Sequence, residues 1–302
     1  MEKKFESLSL FEFQDKFKTD ADCYQYLFDI KWKDKAYQCR RCGNSNACVD
    51  SQNKYTKKCT KCQSKESSTA HTLFHKLKFP ILKAFWIIYL VATNKKGISS
   101  CELSRKLSLR QKTCWSFKRK VMEAMKSSGN YLITKDVEVD ETHVGGKEEG
   151  KPGRSNGKKQ KVVVAIEKSG AYGVKRMYAK VITKFSKDQI GGFMQSCIEP
   201  TANVKTDGWQ AYKGLKDTFK NLVIEKSEKG KNYPTMHRCI MMLKAWLRGT
   251  HHSVKNLQPY LDEYTYRLNR HFMKKGLFEN LVLRMMNTKP LYQINYNRNI
   301  NA

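Results

Sequence analysis

The chain has 302 residues, enough for two or three domains with real cores. It carries 58 Lys plus Arg against 28 Asp plus Glu, a formal net charge of +30. That balance excludes an acidic or neutral binding protein and points to a polyanion, with nucleic acid as the first expectation. The longest apolar run, residues 84–93 (AFWIIYLVAT), is too short to span a bilayer, and no membrane partner is expected. The N-terminus MEKKFESLSLFEF lacks the apolar run of a signal peptide. A cytoplasmic chain is expected, so its ten cysteines are read as metal ligands and core residues rather than disulfides. The charge is uneven: residues 31–135 hold 24 basic and 5 acidic side chains, +19, and residues 1–30 hold 4 and 7, −3.

In chain order, residues 7–30 mix aromatics and acids at helical spacing and predict one or two short helices. Cys39-Arg-Arg-Cys42 and Cys59-Thr-Lys-Cys62 follow, separated by sixteen residues. Two C-x₂-C pairs at that distance offer four thiolates, which close a tetrahedron around a structural Zn²⁺. Gly43 suits the turn after the first pair, and Lys54-Tyr-Thr-Lys-Lys58 between the pairs reads as a strand. The segment is too polar to fold on its own core, so the metal supplies folding energy. Cys48 is not needed for the site.

Pro80 opens a helix that runs through Trp86 and Leu90 and stops near Asn94. Ser99 or Ser100 then caps a short helix with Leu103 and Leu107 on its apolar face. A turn at residues 108–110 leads to a basic helix packed on a Trp115/Val121 face. The pattern predicts a helix-turn-helix whose second helix meets DNA through Arg110, Lys112, Thr113, Lys118 and Arg119. A helical linker with a solvated basic face would give the same pattern.

Residues 136–147 (DVEVDETHVGGK) begin with the alternation of a half-buried strand and end in Gly-Gly. Asp140 is placed at the end of this strand, flanked by Glu138 and Glu141. Residues 145–160 are expected to form a surface loop. Strands follow at 161–166 and 174–183, then a helix from Ser186 to about residue 198. A short strand at 203–207 ends in Asp207-Gly208. A helix over 209–219, a strand over 221–225 and a helix from about His237 to Arg248 complete the order β-β-β-α-β-α-β-α. That is the order of a ribonuclease H-like fold. In it the first and fourth strands are neighbours, so Asp140 and Asp207 can share metal. Mg²⁺ takes carboxylate oxygens together with substrate phosphate. Two such ions would activate the attacking oxygen and stabilise the leaving one.

The two CxxC pairs, VEVDETHVGGK, KTDGWQAY and the run from His237 to His252 (HRCIMMLKAWLRGTHH) together resemble the DDE-type insertion-sequence transposases with an N-terminal zinc ribbon, the ISXO2-like group. The resemblance extends from Cys39 to about Arg270. It implies an α+β multidomain chain: N-terminal helices and zinc ribbon over 1–70, a helix-turn-helix-like region over 71–133, and a ribonuclease H-like catalytic domain over 134–302. It implies metal-dependent DNA cleavage and strand transfer at terminal inverted repeats, with Mg²⁺ or Mn²⁺ and structural Zn²⁺. The implied partners are double-stranded terminal-repeat and target DNA and a second copy of the chain, a homodimer or larger on DNA, which places the protein on the nucleoid when bound. Asp140 and Asp207 become the first two catalytic acids.

The family pattern puts a third acid seven residues before a Lys. Lys244 is that Lys by context, and His237 stands where the acid belongs. Imidazole is a poor ligand for Mg²⁺ and a better one for softer metals. His237 is the favoured third residue and Glu263 the alternative. A zinc-ribbon and helix-turn-helix regulator, an inactive transposase relic, a nuclease that cuts without joining, and an RNA-binding protein are the rival readings.

Overall fold

The computed structural model describes residues 8–33, 35–146, 159–170, 173–226, 228, 231–250 and 254–291. Most of the expected surface loop, residues 147–158, lies outside the described residues, as do 251–253 and the tail 292–302. The chain forms two compact units, Met1–Met125 with Phe272–Ala302, and Lys126–His271. Among the described residues no helix is long and apolar enough to cross a membrane.

The first unit opens with α1 (Leu10–Lys16) and α2 (Asp20–Trp32), the two short helices expected. Each starts in a capping box, Ser9 with Glu12 and Thr19 with Asp22, which satisfies two orphan N–H groups reciprocally. A three-stranded antiparallel sheet follows: β1 (Ala47–Asp50), β2 (Asn53–Cys59) and β3 (Lys65–Ser67), with β2 central. Next come α3 (Ile81–Thr93), α4 (Ser100–Leu107) and α5 (Gln111–Met125). Ser99 caps α4 by accepting the Glu102 N–H at 3.1 Å. Ser108 ends α4 in the left-handed region, φ 50°, which turns the chain sharply into α5.

An aromatic cluster binds these helices together. Phe13 of α1 and Phe17 just after it lie 5.2 Å and 5.7 Å from Phe278, and Phe17 lies 5.0 Å from Phe85 of α3. Phe278 belongs to α10 (Leu277–Asn287), which buries Leu277, Phe278, Leu281, Val282, Met285 and Met286. The Met285 carbonyl accepts the Leu73 N–H at 3.1 Å, and the Arg284 guanidinium donates to the Ala124 carbonyl. These contacts give a division different from the three consecutive parts expected. Residues before and after position 70 share one core, and the chain re-enters that core after residue 271 rather than ending in the second unit. The physical reason is the apolar face of α10, which is buried against α3 and α5.

The second unit is a five-stranded sheet in the order β6-β5-β4-β7-β8. Its strands are β4 (Asp136–Val144), β5 (Gln160–Ser169), β6 (Gly173–Ile182), β7 (Asn203–Thr206) and β8 (Leu222–Ile224). The first three form an antiparallel meander, and β7 and β8 join parallel to β4. One face packs Val137, Val139, Val163 and Ala165 against α6 (Lys187–Cys197) and the single turn α7 (Gln210–Lys213). The other packs Val162, Val164 and Ile166 against α8 (Pro234–Thr250) and α9 (Gln258–Asn269). Because side chains alternate across a strand, the continuous apolar run 162–166 of β5 feeds both cores.

The helix expected over 209–219 is only one turn long. Gly214 ends it, and a Cβ there would stand 2.7 Å from Lys187 Cε. The outer edge of β6 is closed by side-chain amides of α9. Asn269 accepts the Met177 N–H at 2.7 Å and donates to the Met177 carbonyl at 2.9 Å, and Gln258 does the same for Val181 and Ala179. Such pairing removes a template for edge-to-edge association.

Replacing Asn269 with Ala strips both partners from Met177. We expect the chain to lose about 1–3 kcal/mol of stability, because a half-buried backbone pair is left unmet. Urea unfolding of the variant beside the parent measures this, and an unchanged midpoint would show that water replaces the amide.

Candidate active site and metal centre

Two groups of side chains have the donors and spacing for metal. In the first unit Cys39, Cys42, Cys59 and Cys62 hold their sulfurs within 4.8 Å of one another. Cys39 Sγ lies 3.5 Å from Cys62 Sγ, and Cys42 Sγ lies 3.6 Å from Cys59 Sγ. A ZnS₄ tetrahedron with Zn–S of about 2.3 Å has edges of about 3.8 Å, so the spacing fits. The two turns are alike. Gly43 N–H donates to the Cys39 carbonyl at 2.8 Å, and Gln63 N–H to the Cys59 carbonyl at 3.1 Å. Both turn residues lie in the left-handed region, Gly43 at φ 73° and Gln63 at φ 59°. Gly takes that conformation freely, whereas Gln63 is strained unless the cluster holds it.

The backbone N–H of Cys62 and the Asn44 amide lower the Cys59 pKa, while the thiols around it raise that of Cys42, so the four sulfurs share their protons until a metal displaces them. Four thiolates on a polar segment suit a structural zinc ion, as expected from the spacing. Cys48 is exposed and stands outside the cluster, its thiol directed to the Lys58 carbonyl.

In the second unit Asp140, Glu141 and Asp207 bring one carboxylate oxygen each within 4.8 Å. Strand register explains the meeting. β4 and β7 run parallel and pair through Val139 and Thr206. The next residue on each strand is an Asp. Asp140 is therefore at the middle of β4, not at its end as expected. β4 continues beyond it, paired with β5 as far as Val144 opposite Gln160, and only its parallel partner stops.

Local bonds hold the acids. The Trp209 N–H donates to Asp207 Oδ1 at 3.1 Å, and the Trp209 indole donates to the Phe185 carbonyl at 3.2 Å. The Glu141 N–H donates to Asp140 Oδ1 at 2.8 Å. Beneath them, the Tyr233 hydroxyl donates to the Thr206 carbonyl at 2.8 Å and fixes the end of β7. Burial, and then the charges of Glu225, Asp207, Glu138 and Asp140, push the Tyr233 phenol up to about 12. Tyr212 is fully buried against the cluster. Burial and then Glu141, Asp140 and Asp207 raise its phenol well above the usual range, so it remains a neutral O–H.

Three half-buried carboxylates at this spacing repel one another, and the repulsion grows as water is excluded. Hard divalent cations relieve it through oxygen ligands, so the donor set fits Mg²⁺ or Mn²⁺. Glu138, the other flanking acid, does not join. It is buried and paired with Lys168 at 2.9 Å. Lys244 of α8 lies within electrostatic reach of Asp140. Burial lowers its pKa and Asp140 opposes that shift.

The remaining sequence candidates separate. His237 occupies the first turn of α8, exposed, its N–H bonded to the Tyr233 carbonyl at 3.1 Å. It is not among the clustered acids, because the helix turns Met236, Cys239, Ile240 and Leu243 to the sheet and leaves His237 on the rim. Glu263 is 0% exposed and paired with Arg267 Nη2 at 2.7 Å on α9, the helix that closes the β6 edge. Its carboxylate is a structural ion-pair partner, which removes it as the alternative third residue.

On α5, Arg110 just before the helix and Lys112 within it are exposed, and Thr113 is half-buried. Arg119 lies over the Trp115 ring at 5.8 Å. Trp115 is 38% exposed, so the expected Trp115 packing face is instead Cys114, Phe117, Val121 and Met122. Lys118 points inward, buried, with Nζ donating to the Ile98 carbonyl at 2.8 Å, and is unavailable to DNA. Neither Glu141 nor Tyr212 is among the residues the sequence leads one to expect at the site. The signal for Glu141 was the adjacent Asp-Glu pair. Tyr212 had no signal before α7 was placed under the sheet end.

Residues 133–269 match the model of the ISXO2-like transposase domain family. No curated protein matches the chain. Similar solved structures include the Mos1 mariner paired end complex with Mn, at 14% identity over 65% of this chain and 75% of that one, with a TM-score of 0.31. They also include the Mos1 strand transfer complex, at 12% identity over 69% and 79%, with a TM-score of 0.31.

A zinc assay tests the first centre. The purified protein should hold one Zn²⁺ per chain, and Cys59→Ser should abolish stoichiometric binding and lower the melting temperature. Full zinc retention in the variant would exclude the four-cysteine assignment.

Proposed function

Because residues 133–269 carry an ISXO2-like transposase domain of the DDE type, we propose that the protein cuts insertion-sequence ends and joins them to target DNA. The observation that carries this reading is the meeting of Asp140, Glu141 and Asp207 where the parallel pairing of β4 and β7 stops. The sheet order β6-β5-β4-β7-β8, with the first three strands antiparallel, supports a ribonuclease H-like fold for residues 134 to about 270. Bound at the carboxylates, two divalent cations would activate the attacking oxygen and stabilise the leaving one at phosphorus.

The chain's own groups supply the rest. Asp140 and Asp207 would hold the ions, and Glu141 would add the third carboxylate in the place expected for His237. Lys244 contacts the phosphate beside Asp140. His237 stands two turns from Lys244 along nearly one line of α8 and takes part in proton movement rather than holding Mg²⁺. Cleavage frees a 3′-hydroxyl, and the same site then directs that hydroxyl to a target phosphate, since both steps displace one oxygen at phosphorus.

The zinc ribbon and the α4–α5 pair grip the terminal inverted repeats as a helix-turn-helix, through Arg110, Lys112, Thr113 and Arg119 on phosphates and bases. Two chains hold two ends together.

Strand assays with a labelled element end and a supercoiled target, in Mg²⁺ and then Mn²⁺, test the chemistry. Asp140→Ala, Asp207→Ala and Glu141→Gln should bind the end yet fall to background in cutting and joining, while His237→Ala slows both. If wild type binds and never cuts with either ion, the protein is a DNA-binding relic. A fully active Glu141→Gln beside a dead His237→Ala would return the third place to the histidine.

Lys118 and Arg110 give a second test. Arg110→Ala should weaken end binding and reduce the salt slope by about 1 while leaving stability unchanged. Lys118→Ala should instead cost roughly 1–3 kcal/mol of stability, because it strips the Ile98 carbonyl. Equal loss of affinity in both, with equal stability, would place α5 differently on DNA.

A further inference from the structure

Residues 69–76 form the turn that leads from β3 towards α3 in the first unit, and none of them belongs to either metal centre. The turn is anchored from within. Leu73 and Phe74 are 0% exposed. The Leu73 N–H donates to the Met285 carbonyl of α10, and the Phe74 ring lies 6.0 Å from Phe85 of α3 and 6.2 Å from Phe117 of α5. Thr72 Oγ1 donates to the Thr69 carbonyl at 2.7 Å and accepts the Phe74 N–H at 3.1 Å. His71 and Lys76 lie in the left-handed region, at φ 63° and 51°. A residue with a β-carbon is strained there, and such strain collects at ligand clamps.

Cations meet at this turn. The His71 and His75 rings are stacked, with centroids 6.3 Å apart and planes 8° apart. Burial, and then Lys76, His71, Lys120 and Lys31, lower the pKa of His75. Lys31 is paired with Glu66 at 2.8 Å. Lys120 of α5, one turn beyond Phe117, is half-buried and has no hydrogen bond or ion pair among the described residues. Burial alone lowers its pKa. An ammonium drawn out of water with cations for neighbours is costly to the fold by itself. An anion brought in from outside removes that cost.

We infer that His71, His75, Lys76 and Lys120 together hold one backbone phosphate of DNA. The proposal rests on the reading of the protein as a DNA-binding transposase. A phosphate offers its oxygens to ammonium and imidazole N–H donors at once, and its charge offsets their mutual repulsion. DNA is the source that the charge balance favours, since residues 31–135 carry +19. Lys120 shares α5 with Lys112 and Arg119, so a phosphate held here fixes how that helix lies on the duplex without reading a base. The surroundings of His75 favour its neutral form in the free protein, and a phosphate beside it favours the imidazolium. Binding therefore takes up a proton, and the grip tightens as pH falls through the ordinary histidine range, about 6.5.

The test follows a labelled element-end duplex by fluorescence anisotropy over a salt series, at about pH 8 and about pH 6. Lys120→Met should bind about tenfold more weakly and reduce the salt slope by about 1, with its zinc kept and its melting temperature not lowered. His71→Gln combined with His75→Gln should bind close to the parent at the higher pH and lose most of the gain at the lower one. A merely structural role would move the melting temperature and leave the slope and the pH profile alone. If Lys120→Met does not fold, the histidine variant decides.

An unchanged slope in Lys120→Met, or an unchanged pH gain in the histidine variant, overturns the proposal. The DNA reading then stands on the effect of Arg110→Ala. Inorganic phosphate that stabilises wild type but not Lys120→Met, with equal DNA affinity in the two, overturns the DNA source and leaves a site for free phosphate. No binding of the duplex by wild type overturns both readings.

Discussion

The parallel pairing of β4 with β7 is the constraint on which the second unit depends. Two strands far apart in sequence are placed side by side with Val139 opposite Thr206, and the next residue of each is an aspartate. Moving the pairing by one residue would turn one carboxylate to the opposite face of the sheet, because side chains alternate. The register is held by burial on both faces. Val137, Val139 and Val204 fill one core, while Tyr233, just before α8, reaches the Thr206 carbonyl on the other side. A rigid sheet end brings acids together that would repel one another on a loose loop, and the neighbouring cores fix their spacing.

Around that point the chain places other charges out of the way. Glu138 is neutralised by Lys168, Glu167 by Lys175 and Glu263 by Arg267. Buried carboxylates with a cation at hydrogen-bond distance are components of the fold, since breaking such a pair leaves a costly uncompensated charge. The acids brought together are those just past the point where the pairing of β4 with β7 stops, and this separates the site from its surroundings more sharply than acidity does.

The first unit has a different foundation. Its ribbon has little apolar material beyond Trp32, Tyr37 and the cysteines, so metal binding and folding are coupled there. Its helical part is held by aromatic packing in which α10, from the far end of the chain, fills the space between α1 and α3. Withdrawing that helix would leave Phe13, Phe17 and Phe85 facing water.

Much of this was legible in the sequence. The CxxC spacing, the capping serines, the strand order of the second half and the two Asp-bearing motifs are local patterns, and local patterns follow from residue type and periodicity. What the sequence did not contain was direction. Lys118 reads as one more cation on a basic helix, and only packing against Ile98 turns it inward. Trp115 reads as core, yet Phe117 and Val121 occupy the core and leave it outside. Along the chain His237 is the favoured third ligand and Glu263 the alternative. In three dimensions one lies on a helix rim and the other in a closed ion pair, while Glu141 arrives beside the aspartates. The elements and their chemistry were set by the sequence itself. Which carboxylates meet was decided by the tertiary structure, because contact between distant residues depends on strand register and on which helix face finds a core to fill.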